Sequence, residues 1–191
     1  MTALPALLLA LVALCASSVH AQSDYPNRAT RIIYPYPPGG NGDSITRIYA
    51  KAFSDATGQQ FVVENKPGGA TNIGAELVAR SAPDGYTIFV TQKASHGANA
   101  ALFSKLPYDP LKDFAQVGIM ARTPNYLVVT PSLPVSSVRD LIAYARANPG
   151  KLSYGTSAAG SSQQLAMEYF RLSAKIELVS IPYKGAPPAM T

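Results

Sequence analysis

Between Arg31 and Arg47 the chain reads RIIYPYPPGGNGDSITR, and no other stretch narrows its fold so far. Ile32 to Tyr36 is a short apolar run closed by Pro37 and Pro38, the pattern of a buried strand that stops at a turn. Gly39, Gly40 and Gly42 follow, and from Ile45 the apolar residues Ile48, Tyr49, Ala52 and Phe53 fall at helical spacing. Asp43 or Ser44 is placed to cap that helix and Gly58 to end it. A strand that turns through glycines into a helix is the opening of a parallel α/β sheet. Its glycines allow a guest close to the backbone, and the helix start offers unpaired N–H groups and the positive end of a dipole. That combination suits a small anion, a carboxylate above all. The same letters fit a ligand-free tight turn equally well. A second loop of the same kind, within Leu152 to Ala166, tips the reading toward binding.

The rest of the chain extends the pattern. Phe61-Val62-Val63 is a strand, Asn65 to Gly69 a loop, and Asn72 to Arg80 a helix. After the Pro83-Asp84-Gly85 turn, Tyr86 to Val90 is a third strand. This β-α-β-α-β order predicts a parallel sheet with right-handed crossovers. Thr91 to Asn99 reads as a polar loop, with a short helix toward Phe103. Leu106 to Pro110 is extended and proline-fixed, the natural domain junction, and Val117–Met120 and Tyr126–Thr130 read as strands crossing between domains. A second α/β unit follows. It has a helix capped by Ser136 or Ser137, with Val138, Leu141, Ile142 and Ala145 on one face, and Pro149-Gly150 at its end. A strand at Leu152–Gly155, a loop at Thr156–Ser161, a helix at Gln163–Ala174, a strand at Leu178–Ile181 and a helix opening near Pro187 complete it.

The chain has 191 residues, which suits one domain or two small ones. With 47% hydrophobic residues it can bury a core. Residues 1–21 read as a secretory signal peptide. Ala6 to Ala16 is the apolar region, and Val19 and Ala21 are small at the −3 and −1 positions, although no Lys or Arg precedes Arg28. That apolar run is too short to span a bilayer comfortably. Cys15, the sole cysteine, lies within it, so the expected mature chain has no thiol, no disulfide and no cysteine metal site, which fits a bacterial periplasm. The net charge of +5 is scattered, with no run or aromatic alternation of the kind that grips nucleic acid.

The first loop is neither a phosphate loop, for want of Gly-Lys-Ser/Thr, nor a dinucleotide fingerprint, because Ile45 stands where a third glycine belongs. Gly155-Thr156-Ser157-Ala158-Ala159 is half of a nucleophile elbow, and His96 lies upstream of it, in the wrong order for a serine triad. Ser157, Ser161 and Ser162 are better read as donors around an anion, with helix capping as the alternative. Ser95-His96-Gly97 offers a base or a ligand contact, against a plain loop histidine. Asp43 can orient the loop, cap the helix or accept from a ligand, capping coming first. Lys184 can approach an anion or stay solvated, and of Tyr34 and Tyr36 one is expected to touch a ligand. There is no His/Cys cluster and no close carboxylate set, so neither a metal nor a cofactor is expected.

Taken together these stretches resemble the substrate-binding proteins of tripartite tricarboxylate transporters, the Bug family. The matches are Tyr25-Pro26, Ile32-Ile33 through Pro37-Pro38-Gly39-Gly40 to Asp43, Val63 to Gly69, Asn72 to Glu76, Pro83 to Thr87, Leu106 to Pro110 with Lys112-Asp113-Phe114, Pro149 to Leu152, and Pro182 to Gly185. The resemblance implies an α/β, two-lobed periplasmic binding protein of type II (Venus flytrap) architecture. Its lobes are expected at residues 22–104 and 105–191, the second incomplete, since family members continue for roughly another hundred residues. On that reading the chain is a fragment, of marginal stability if made alone. The resemblance further implies capture of a small organic carboxylate for the membrane subunits of a transporter, by a monomer with no catalysis. The ligand site is expected from Tyr36, Pro38, Gly39, Gly40 and Asp43, from Ser95 and His96 within Gln92 to Ala98, from Ser157, Gly160, Ser161 and Gln163, and from Tyr183, Lys184 and Gly185. Many relatives carry His where this chain has Gln163 or Gln164. A sensor presenting the same ligand to a receptor, or a secreted hydrolase using Ser157, are the rival readings.

Overall fold

The computed structural model describes residues 25–183, 185 and 187–190. The expected leader with Cys15, and Lys184, lie outside the described residues. β1 (Thr30–Tyr34) is the middle strand of a three-stranded parallel sheet, flanked by β2 (Phe61–Asn65) and β3 (Thr87–Phe89). Its residues face neighbours on both sides of the sheet, and Ile32 and Ile33 are both fully buried. That explains an apolar run without alternation. Tyr34 lies opposite Asn65, and Ile33 opposite Phe89. The loops leaving all three strands therefore emerge at one edge, where ligand loops of parallel sheets gather.

α1 (Asn41–Thr57) follows β1 and ends at Gly58, whose left-handed φ of 71° lets its N–H reach Ser54 O at 2.9 Å. Its start differs from expectation. The helix begins three to four residues early, with Gly40 at the cap position and no side-chain cap. Asp43 sits in the first turn instead, because its carboxylate is committed backward to the Gly39 N–H at 3.0 Å. α2 (Asn72–Ala79) is entered through a 3-10 turn at Gly69–Thr71, in which Ala70 and Thr71 are left-handed. Asn99 Nδ2 holds that turn by donating to Ala70 O and Asn72 Oδ1, both at 2.7 Å.

The polar stretch after β3 is more ordered than its composition indicates. Ala94–Ala98 forms one π-helical turn that runs into α3 (Asn99–Leu102). Periodicity does not reveal it, because buried polar groups hold it. Ser95 Oγ lies 2.8 Å from Thr91 Oγ1, and Tyr108 OH donates to Ser95 O at 2.9 Å. Val117–Met120 and Tyr126–Thr130 are not strands. Val117 is 97% exposed and Tyr126 84%, and neither segment has a neighbouring ladder among the described residues. Strand-like side chains make no strand until the backbone groups find a partner.

Beyond them, α4 (Val138–Ala147) is capped by Ser137, which accepts from the Asp140 N–H at 3.1 Å. β4 (Ser153–Thr156) and β5 (Val179–Pro182) pair in parallel around the intervening α5 (Ser162–Ala174). Ala145, Ala174 and Ile176, with Ile142, Leu152, Phe170 and Leu178, make a small core between them. The turn near Pro187 is a single 3-10 turn, Pro187–Ala189. No helix of the described residues is long and apolar enough to cross a membrane.

Candidate functional site

The loops leaving β1 and β4 face each other across a small pocket of about 90 Å³. One wall is Tyr34, Tyr36, Pro37, Gly40, Asn41, Gly42 and Gln92. The other is Thr123, Ser157, Ser162, Gln163 and Gly185. Both α1 and α5 thus present their first residues to one space. In α1 the helical ladder begins with Ser44 N donating to Gly40 O, and in α5 with Leu165 N donating to Ser161 O, each at 3.0 Å. Before those points the N–H groups lie outside the ladder; that of Gln164 is taken by the Ser161 hydroxyl, which leaves those of Asn41, Gly42, Ser162 and Gln163 at the helix starts.

The sequence enforces this geometry at Gly42. A Cβ there would stand 2.0 Å from Tyr34 OH, so only glycine lets the phenol lie against the helix start. Tyr34 OH also accepts from Gln92 Nε2 at 3.4 Å. The Tyr36 hydroxyl is buried and has no partner among the described residues. Burial, reinforced by neighbouring Tyr34, pushes its ionisation well above the usual tyrosine range. Burial also raises Tyr34, with Asp43 adding and Gln92 opposing. Both phenols are neutral donors across the physiological range.

Asp43 is close by but does not line the pocket. Its carboxylate accepts from Arg47 at 3.0 and 3.1 Å, from Asn65 Nδ2 at 2.9 Å and from the Gly39 N–H. Burial alone would raise this carboxyl. The hydrogen bonds and the Arg47 charge prevail and hold it below the usual carboxylate range. Among the described residues no Asp, Glu, Lys or Arg lines the pocket, and what they turn toward it are backbone, phenol, hydroxyl and amide groups.

The second wall is built from hydroxyls and amides. Ser157 Oγ donates to Gln163 Oε1 at 2.9 Å, and Ser162 Oγ reaches the same oxygen at 3.4 Å. Ser161 caps α5 by accepting from the Gln164 N–H at 3.3 Å. Gln164 Oε1 takes the Gly160 N–H at 2.7 Å, and its Nε2 reaches Ser180 Oγ at 3.4 Å, tying the loop to β5. Gly160, at φ 72°, packs where a Cβ would lie 3.2 Å from both Asn99 Oδ1 and Leu102 Cδ1.

Of the residues singled out from sequence, Tyr36, Gly40, Ser157, Gln163 and Gly185 line this pocket. Pro38 and Gly39 belong to the loop behind it, while Gly160 and Ser161 shape the second loop. Tyr183 contributes its N–H to Thr156 O at 2.8 Å. Ser95 and His96 stand apart. His96 Nδ1 meets Ser95 Oγ at 3.0 Å, and its ring packs on Phe114 at 4.6 Å and Phe89 at 5.8 Å. Of the other lining residues, Asn41 and Gly42 belong to the glycine loop and Ser162 to the serine run already read as donors, and Tyr34 is one of the two tyrosines expected near a ligand, whereas Thr123 was not anticipated. Thr123 lies in a stretch without periodicity and carries no signal. The Ser157 hydroxyl is directed at the Gln163 amide oxygen, and the described histidine, His96, is engaged elsewhere, with Ser95 and Phe114. A second hollow of about 300 Å³ is bounded mainly by apolar side chains, Leu127, Val129, Val138 and Leu141 among them; at its edge Ser136 Oγ donates to Asp140 and Ser137 Oγ accepts from the Asp140 N–H.

A family profile described as "Tripartite tricarboxylate transporter family receptor" matches residues 45–191. Protein BugT of Bordetella pertussis is 36% identical over 167 residues, which are 87% of this chain and 51% of that protein. An R. palustris protein solved with adipate superposes with a TM-score of 0.84 at 41% identity, covering 87% of this chain and 56% of that one. The periplasmic binding protein BugD superposes at 0.73 with 29% identity, covering 87% and 55%. The α/β architecture is therefore that of a periplasmic binding protein, and the chain spans about half the length of the relatives it matches.

Proposed function

The chain belongs to the tripartite tricarboxylate transporter receptor family, and from that premise we propose that it is an extracytoplasmic solute-binding protein whose pocket takes a carboxylate group of a small organic acid. One observation carries this reading. Two helix N-termini from separate sheets meet at a pocket whose described lining carries no charged side chain, beside a buried tyrosine hydroxyl with no partner among the described residues. A carboxylate answers all of these at once, taking the helix-start N–H groups, the dipoles and the phenol.

The adipate bound by the similar R. palustris protein makes linear dicarboxylates the first class to try. Residues 22–104 and 105–191 are assigned to the two lobes, with closure between them holding the ligand. The bound acid is then delivered to the membrane subunits of a tripartite transporter from the periplasm, the first 21 residues acting as the export signal. No bond is made or broken.

The test is a thermal-shift series on the full-length protein with adipate, citrate, glutamate and benzoate. A melting temperature that climbs with the concentration of one acid is the expected result. A well-folded protein indifferent to all of them overturns the proposal.

A further inference from the structure

The two halves of the pocket are not equally open. On the α1 side the Asp43 carboxylate does not line the pocket and is committed to Gly39, Arg47 and Asn65. On the α5 side a side chain of the protein itself already lies on the donors. Gln163 Oε1 accepts from Ser157 Oγ at 2.9 Å and lies 3.4 Å from Ser162 Oγ, at the start of a 13-residue helix. An amide oxygen is the nearest neutral analogue of a carboxylate oxygen. It sits within the same pocket as the unpartnered, buried Tyr36 hydroxyl.

We propose that Gln163 is an internal competitor, its amide oxygen holding the place of a ligand carboxylate oxygen on the Ser157 and Ser162 hydroxyls until the ligand displaces it. The proposal rests on reading this pocket as a carboxylate site and adds what regulates that site. Gln163 is only half-buried, so its side chain can turn out without unpacking the core. A charged oxygen wins the exchange because hydrogen bonds to an ionised acceptor are roughly twice as strong as those to an amide. A ligand first meets the open α1 half, then takes the α5 half from Gln163. Affinity is thereby set below what the bare donors would give.

The experiment is calorimetric titration of the full-length protein with adipate, or with the acid that binds best in the thermal-shift series. Wild type, Gln163→Ala and Gln163→Glu are compared at neutral pH. Removing the competitor in Gln163→Ala is expected to tighten binding about five-fold, the worth of one neutral hydrogen bond. Gln163→Glu places a charged oxygen on the same hydroxyls and is expected to weaken binding more than about ten-fold. Weaker binding by Gln163→Ala, with wild type binding normally, overturns the proposal, since Gln163 would then be holding the ligand. A folded wild type that binds none of the acids instead overturns the pocket reading on which it rests, and the proposal with it.

Discussion

The β1–α1 loop and the β4–α5 loop do the same geometric job with different materials. The first is held by charge. Asp43 gathers a backbone N–H, a guanidinium and an amide behind the loop, and leaves the pocket face to bare backbone and phenols. The second is held by neutral groups, with Ser161 capping the helix and Gln164 bridging to β5. Their foundations differ too. β1 is paired on both sides, whereas β4 and β5 make a single ladder. The comparison teaches that a loop can turn neutral groups toward a pocket when the charges that shape it are paired behind it.

The largest effect is expected where the charged anchor is cut. Asp43→Ala strands Arg47 and Asn65 and frees Gly39, and should cost about 3 kcal/mol of stability in urea unfolding, the scale of lost charge-assisted bonds at a buried carboxylate. A loss below that of the serine cap would break the contrast between the loops. Gly42→Ala comes next. Its methyl would drive into Tyr34, so about 2 kcal/mol of overpacking strain is expected in the same assay, with acid binding weakened more than by any single change in the second loop. Ser161→Ala removes one neutral cap and should cost about 1 kcal/mol, with the helical circular-dichroism signal largely kept.

The smallest effect is a pH dependence outside both loops. Burial among Phe89, Phe114 and Ser95 pushes the His96 imidazole below its ordinary value. Near pH 6.5 the unfolded chain takes up a proton that the folded chain still refuses. Stability from this source is therefore complete above about pH 6.5 and declines as the pH falls through the gap between the two values. His96→Phe should flatten that part of the melting-temperature curve between pH 7.5 and 5.5. An unchanged slope would place its origin elsewhere.

Much of this was legible where a local rule fixes local geometry. The unbroken apolar run Ile32–Ile33 marked β1 as a buried strand, Gly58 ended α1, and Ser137 started α4 as one of two serines expected there. The start of α1 was misread because Asp43 looks like a cap in one dimension, while its partners Arg47 and Asn65 are fixed only by folding. The π-helical turn was hidden because Ser95 and Asn99 act through buried hydrogen bonds, which leave no hydrophobic period. Val117 and Tyr126 misled in the opposite sense, their propensity being real but unmatched by a ladder. Thr123 reaches the pocket from a stretch whose path depends wholly on tertiary packing.

The Asp43–Arg47–Asn65 cluster also limits how this sequence can drift. Arg47 is half exposed, and none of the three lines the pocket. Yet a lone change at 47 would leave an unbalanced negative charge behind the pocket loop, and a lone change at 43 would leave the arginine without its counter-ion. Substitutions there are tolerable in pairs and harmful singly, so lineages of this protein should cross between alternative charge arrangements rarely, and by coordinated steps.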